Sequence, residues 1–154
     1  MEKTNVMRIL DREKLEYIPH SFDGNITDGV TVAHTIGEDP ARVFKTLVTQ
    51  ANTKEYFVFV IPVADSLDLK KAAKAVGVKS IAMIKQKELL PLTGYIHGGC
   101  SPIGMKKRFK TTLHSTAADF ETIIFSAGKI GYQVEMSAAA LCGLIGAQLA
   151  DIIV

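Results

Sequence analysis

The sequence has 154 residues, of which 47% are hydrophobic, and its 18 lysines and arginines against 16 acidic residues give a formal net charge of +2. This length predicts a single domain, residues 1–154, with a core that needs neither disulfides nor metal, and the nearly balanced charge disfavours strong non-specific binding to nucleic acid. Cys100 and Cys142 form no CxxC pattern, which indicates a reducing cytoplasm, and no apolar stretch is long enough to span a membrane.

The first half of the chain alternates predicted helices with predicted strands. Thr4 is a candidate cap for a first helix with Val6, Ile9 and Leu10 on one face. The apolar run YFVFVIPV at 56–63 is typical of a strand that is buried on both faces. The other elements predicted here are a strand over 15–20, a helix over 30–36 and a strand over 43–50.

The clearest helix is predicted over 67–76, where Leu69, Ala72, Ala73 and Val76 follow the i, i+3, i+4, i+7 spacing. Ser66 is its candidate cap, and Gly77 its candidate stop. The remaining predictions are a strand over 80–83, a helix over 85–90 ended by Pro91, a strand over 111–113, a hairpin of strands 122–126 and 132–136, and a last helix from the cap Ser137 to Ile145. Interspersed helices and strands with several short turns predict an α/β or α+β fold with a mixed sheet.

Positive charge is concentrated in two short stretches of the sequence. One contains Lys70, Lys71, Lys74 and Lys79, and the other contains Lys106, Lys107, Arg108 and Lys110. Either stretch could contact a few phosphate groups, or both could be a solvated helix face and a solvated loop. The charges alone leave both interpretations open.

Two features are candidates for a functional site. In GGCSPIG, residues 98–104, paired glycines could present backbone N–H groups to an anion or a carbonyl oxygen, or could form a tight surface connection. Lys45 lies in the apolar stretch FKTLV, where its ammonium could hold an oxyanion in a pocket or could extend into solvent from an edge strand.

Other catalytic patterns are weak. The four histidines have no metal-ligand spacing, so we expect no metal, and no Ser-His-Asp arrangement is apparent. Cys100 near His97 suggests a cysteine nucleophile, but their spacing in a loop does not by itself bring the side chains together.

Four segments, FKTLV, VIPVADSLDLKKAAKAVG, TGYIHGGCSPIGMKK and SAGKIGYQVEMS, together resemble the YbaK/EbsC family over nearly the whole chain. These proteins are free-standing relatives of the editing domain inserted in bacterial prolyl-tRNA synthetases. The resemblance implies one domain with a mixed, barrel-like sheet surrounded by helices, and no cofactor. It also implies removal of cysteine from Cys-tRNA(Pro), with Cys-tRNA(Cys) as a second candidate substrate. The expected partners are the acceptor end of aminoacyl-tRNA and prolyl-tRNA synthetase.

The resemblance also assigns roles to residues. Lys45 matches the essential lysine of the family and is the predicted catalytic residue. The predicted substrate-binding residues are Phe22, Thr46, Gly98, Gly99, Cys100, Ser101, Pro102, Gly104 and Gln133. Two positions depart from the family, since some relatives have an aspartate at Gln133 and an aromatic residue near Asp28. A neutral Gln133 cannot act as a carboxylate acid or base.

The mechanism that the resemblance implies needs no nucleophile from the enzyme. The thiol of the mischarged cysteine attacks its own ester carbonyl and releases a thiolactone, and proximity alone can contribute about 7–11 kcal/mol in a well-oriented case. Two alternatives stay open. One is water-dependent editing of another small amino acid, and the other is a non-catalytic module that binds tRNA or a synthetase.

Overall fold

Five helices and eight strands make up the computed structural model, which describes residues 2–26 and 28–154. The helices are α1 (Asn5–Arg12), α2 (Gly29–Thr35), α3 (Leu69–Val76), α4 (Gln86–Thr93) and α5 (Ala138–Ile145). The strands are β1 (Ile18–Ser21), β2 (Phe44–Ala51), β3 (Tyr56–Pro62), β4 (Ile81–Met83), β5 (Lys110–His114), β6 (Ile123–Ser126), β7 (Tyr132–Met136) and β8 (Gln148–Ala150). Short 3-10 turns cover Pro40–Arg42 and Ser115–Asp119. This order confirms the predicted mixed α/β fold.

The strands form two sheets. The larger has the order β4-β2-β3-β5-β8, in which the β4–β2 and β2–β3 pairs are antiparallel and the β3–β5 and β5–β8 pairs are parallel. The smaller is antiparallel, with the order β1-β7-β6, and a bridge between Val43 and Ile124 links it to the larger one. Among the described residues, the edge strands of the two sheets do not pair with each other. The sheet is therefore mixed as predicted, but it does not close into a barrel.

Strand β3 separates two apolar cores. Val58 and Val60 belong to the larger core, which includes α1, whereas Phe57, Phe59 and Ile61 belong to a second core, which includes α3. Because alternate residues of a strand face opposite sides, α1 and α3 lie on opposite faces of the larger sheet. The prediction that this strand is buried on both faces is confirmed.

Helix caps explain where several elements begin. Oγ1 of Thr4 accepts a hydrogen bond from the Met7 amide at 3.3 Å, which confirms the predicted cap of α1. The predicted start of α3 was wrong, because its cap is Asp68, whose carboxylate accepts from two amides of the first turn. A carboxylate with two acceptor oxygens satisfies more of the free amides than the Ser66 hydroxyl would. Leu69 is 40% exposed, so it is not part of the apolar face of α3.

Helix α4 differs from the sequence prediction at its C-terminal end. It continues through Pro91 and ends only at Thr93, where Gly94 adopts a left-handed conformation with φ +83°. Oγ1 of Thr93 donates to the Leu89 carbonyl and so satisfies one acceptor near this end of the helix. Pro91 lacks a backbone donor, yet the helix continues past it to Thr93, so it does not end the helix as predicted.

Candidate active site

A cavity of about 400 Å³ lies where β2 begins, between α2, the loop around residue 98 and the smaller sheet. Six of the ten predicted site residues line it, namely Phe22, Lys45, Thr46, Gly98, Cys100 and Gln133. They come from four separate parts of the chain. The fold thus brings together the stretch around Lys45 and the first half of the glycine loop.

A hydrogen bond to the backbone holds the Lys45 side chain at the cavity. Its Nζ donates to the carbonyl oxygen of Val63 at 3.2 Å, and Lys45 pairs with Ile61 across β2 and β3. An ammonium group has three donors, so this bond leaves the group able to donate to a ligand in the cavity as well. The side chain is only partly exposed.

Two buried oxygen atoms belong to residues of the cavity lining and lack partners. Gln133 is 8% exposed, and its Oε1 accepts no hydrogen bond from the described residues. Oγ1 of Thr46 is likewise buried without a partner among them. Because an unsatisfied buried polar atom costs about 1–3 kcal/mol, such atoms are typical of sites where a ligand completes the hydrogen bonds.

Asp28 is a lining residue that the sequence did not predict. It caps α2, and its carboxylate accepts from the amide and the hydroxyl of Thr31 at 3.0 and 2.8 Å. These hydrogen bonds, followed by the positive charge of Lys45, lower the pKa of Asp28. The cavity therefore carries one anion and one cation. The resemblance singled out this neighbourhood only because some relatives have an aromatic residue near it, not as part of the binding residues.

Cys100 lines the cavity together with His97, but its thiol is not activated. The residue is 9% exposed, and burial raises the pKa of the thiol to about 12. A thiol must be deprotonated to act as a nucleophile, so Cys100 is almost entirely in its unreactive form at neutral pH.

The glycine loop divides between two places. Gly98 has φ +87°, which favours glycine, and it lines the cavity. The amide of Gly99 donates to the Ile96 carbonyl, and Ser101 is fully buried with its Oγ accepting from the amide of Ile103. Neither Gly99 nor Ser101 lines the cavity, and Pro102 and Gly104 line a separate depression. These four residues lie outside the cavity, although the sequence predicted them as substrate-binding.

A partly buried ion network lies beside the cavity, two positions along β7 from Gln133. Oε2 of Glu135 accepts from Arg42 at 2.9 Å and from Thr122 at 2.6 Å, and Oε1 lies 2.9 Å from Nε2 of His20. Burial raises the pKa of Glu135, but the bonds to Thr122, His20 and Arg42 outweigh it, so the pKa is lowered. His20, Glu38 and Glu135 lie close enough together to resemble a metal site, yet Arg42 donates to both carboxylates. The network fixes β7 against β1 and the turn before β2.

With this site described, the whole chain can be compared with known proteins. The profile of the aminoacyl-tRNA editing domain family matches residues 24–144 of this chain. The chain therefore belongs to the aminoacyl-tRNA editing domain family. Within it, the chain is 44% identical over 153 residues to EbsC of Enterococcus faecalis, which is named provisionally as a Cys-tRNA(Pro)/Cys-tRNA(Cys) deacylase. The match covers 98% of this chain and 93% of EbsC, and it confirms the resemblance seen in the sequence.

Two solved structures share the fold. The crystal structure of the hypothetical protein APE2540 matches with a TM-score of 0.90 at 19% identity and covers 98% of this chain and 100% of that one. A protein described provisionally as a trans-editing enzyme for prolyl-tRNA synthetase matches with a TM-score of 0.85 at 21% identity and covers 100% and 99%. Within residues 2–26 and 28–154, no helix has the length and hydrophobicity to cross a membrane.

Proposed function

We propose that the protein is a trans-editing deacylase, one editing domain over residues 1–154, that removes cysteine from Cys-tRNA(Pro). Cys-tRNA(Cys) is the second substrate to test, because EbsC is named for both. The observation that carries the proposal is one cavity lined by Lys45 and Gly98 together with two buried oxygens, Thr46 Oγ1 and Gln133 Oε1, that have no hydrogen-bond partner among the described residues. We further propose that the enzyme acts in the cytoplasm, with prolyl-tRNA synthetase as a partner that selects the tRNA.

The cavity suits the acceptor end of a charged tRNA. Its volume of about 400 Å³ falls within the roughly 300–1,000 Å³ that small-molecule sites occupy. A terminal adenosine ester offers hydroxyl and amine groups to the oxygens of Thr46 and Gln133. The Lys45 ammonium then stands at the wall of the cavity, where it can stabilise negative charge on the ester carbonyl oxygen.

The proposed reaction uses the nucleophile of the substrate. The cysteine sulfur forms a bond to its own ester carbonyl carbon, the ester C–O bond breaks, and the thiol proton passes to the leaving ribose oxygen. The products are a cyclic thiolactone and free tRNA. The raised pKa of Cys100 supports this route, because it disqualifies the cavity's own thiol as the attacking group.

The test is a deacylation panel with cysteine, alanine and serine on tRNA(Pro). We expect cysteine to be cleaved fastest and Lys45→Ala to lose roughly 10²–10³-fold in rate, as for other groups that stabilise an oxyanion. Lys74→Ala, which removes an exposed lysine of α3 on the far face of the larger sheet, is the matched control. Near wild-type cleavage by Lys45→Ala would remove Lys45 from the mechanism, and faster cleavage of alanine would indicate attack by water.

A further inference from the structure

Four cations lie in or beside a depression next to the glycine loop. We call Arg12, Lys106, Lys107 and Arg108 the basic surface. All four are exposed, and Arg12, Lys107 and Arg108 line the depression, which has a volume of about 240 Å³. Among the described residues, no carboxylate lies within 4.0 Å of the three cations between 106 and 108, and Arg12 has only Glu13, at 3.9 Å. Their positive charge is therefore available to a partner.

This charge is unevenly distributed over the molecule. The basic surface together with Glu13 has a formal charge of +3, whereas the whole chain has +2, so the remainder of the chain is net negative. The other lysine-rich stretch lies on α3, on the opposite face of the larger sheet, and its Lys71 is already paired with Asp151 at 3.1 Å. A polyanion would therefore be attracted to the basic surface rather than to the molecule as a whole.

The basic surface and the active-site cavity are built on the same loop. Cys100 lines the cavity and Pro102 lines the depression, and two residues of extended chain span at most about 7 Å. The same loop then runs through Gly104 into the cations at 106–108. A ligand that fills the cavity and extends beyond it has positive charge within reach on this side.

We infer that the basic surface binds the phosphate backbone of the tRNA acceptor stem while the aminoacyl end occupies the cavity. This inference rests on the proposed function. Lysine and arginine contacts to phosphates position a nucleic acid without reading its bases. The surface therefore orients any charged tRNA toward Lys45 and leaves the choice of amino acid to the cavity.

The first test measures binding of uncharged tRNA(Pro) against salt concentration. For Lys107→Ala/Arg108→Ala we expect roughly tenfold weaker binding at moderate salt and a slope of log K against log salt that is smaller by about 2. Lys70→Ala/Lys74→Ala removes the same charge from α3 and should leave both quantities unchanged. Equal effects of the two double variants, or none from the first, would overturn the inference.

Arg108 needs a second variant, because its guanidinium lies close to Gly146 at the end of α5. Lys106→Ala/Lys107→Ala keeps this contact, and we expect it to weaken tRNA binding in the same way. If only the variant without Arg108 loses binding, and its melting temperature falls as well, the effect is structural and the inference fails.

The second test separates the surface from the catalytic site. With Cys-tRNA(Pro), Lys107→Ala/Arg108→Ala should raise KM and leave kcat unchanged, whereas cleavage of a cysteinyl-adenosine ester, which has no stem phosphates, should be unaffected. An equal loss on both substrates overturns the inference. If the wild type cleaves neither substrate but its tRNA binding still depends on Lys107 and Arg108, the proposed catalysis fails and the surface inference stands.

Discussion

The ammonium nitrogen of Lys45 lies 3.2 Å from the carbonyl oxygen of Val63, just beyond the strand that pairs with β2. This bond places the cation by means of the backbone rather than by a carboxylate partner. The position of Lys45 therefore depends on how closely the chain at residue 63 approaches β2 and α2.

Gly29→Ala should impair both folding and catalysis. A Cβ at Gly29 would meet Cγ1 of Val63 at 2.7 Å, so α2 or Val63 must move, and the acceptor of Lys45 moves with Val63. We expect a loss of about 1–3 kcal/mol in the free energy of unfolding, as in overpacked cores, with a reduced deacylation rate. Urea denaturation and single-turnover deacylation measure the two effects.

The control is the same substitution elsewhere in a helix. Gly143 lies inside α5, and an added Cβ there would meet no atom within 4 Å among the described residues. Gly143→Ala should therefore stabilise the protein by about 0.5–1 kcal/mol and leave the rate unchanged. If Gly29→Ala behaves in the same way, the contact with Val63 does not constrain the site.

Gln133→Met should separate stability from activity. The change keeps the approximate volume of the side chain and removes a buried acceptor that has no partner within residues 2–26 and 28–154. We expect the free energy of unfolding to stay level or to rise by up to about 1 kcal/mol. Deacylation should fall by up to roughly tenfold, the effect of one lost hydrogen bond to the ligand. A variant that is clearly less stable than the wild type would show that the amide serves folding instead.

Glu135→Gln should destabilise the protein at neutral pH. Removing one charge of this partly buried network weakens the hold on Arg42, which keeps Glu38 and Thr122 as partners, and we expect a loss of about 1–3 kcal/mol. The native pKa of Glu135 is below its ordinary value of 4.5. Its contribution to stability is therefore present above pH 4.5 and disappears as the pH falls through the native pKa.

Urea denaturation at pH 7 and at a pH well below 4.5 checks this prediction, because the difference between the wild type and Glu135→Gln should shrink in acid. Glu13→Gln is the control, since the ion pair of Glu13 with Arg12 is exposed and 3.9 Å long. It should change the free energy of unfolding by less than about 1 kcal/mol at either pH. A constant difference between wild type and Glu135→Gln at both pH values would contradict the linkage argument.

Cys100→Ala should retain deacylation within a few-fold of the wild-type rate. The thiol is protonated at neutral pH because burial raises its pKa to about 12, so the reaction does not depend on it as a nucleophile. Single-turnover deacylation of Cys-tRNA(Pro) measures the rate, and Cys142→Ala, on α5, is the control for general effects of losing a cysteine. A hundredfold loss confined to Cys100→Ala would assign the attack to the protein.

The sequence predicted helix ends correctly where the capping residue lies next to the helix in the chain. Thr4, Ser137 and Gly77 act at the helix ends that the sequence indicated, because a cap depends on residues within a few positions. Asp68 and Pro91 were misjudged for different reasons. Ser66 and Asp68 are both suitable cap residues and lie within three positions of each other, and the sequence favoured the wrong one. Helix α4 continues past Pro91, although a proline suggests an earlier end. The open arrangement of the two sheets depends on long-range pairing that no local pattern encodes.

The cavity was predicted in part. The resemblance indicated Lys45 and Gly98, and the fold brings both to one cavity. Asp28 was not among the predicted binding residues, because the resemblance marked its neighbourhood only as a departure from the family. Pro102 and Gly104 were assigned to the site because they are close in sequence to Gly98. The loop, however, leaves the cavity after Cys100, and Pro102 already lines the other depression. The spacing of glycines in the sequence does not indicate where a loop leaves a cavity.

The burial of Cys100 has a consequence for how the enzyme handles a sulfur-containing ligand. A pocket that admits a free cysteine side chain beside a cysteine of its own risks forming a mixed disulfide under mild oxidation. With a pKa of about 12, the resident sulfur is ionised in only roughly one molecule in 10⁵ at pH 7, so exchange at this position is slow. We therefore expect the enzyme to turn over repeatedly on a thiol-containing substrate without forming a mixed disulfide at Cys100.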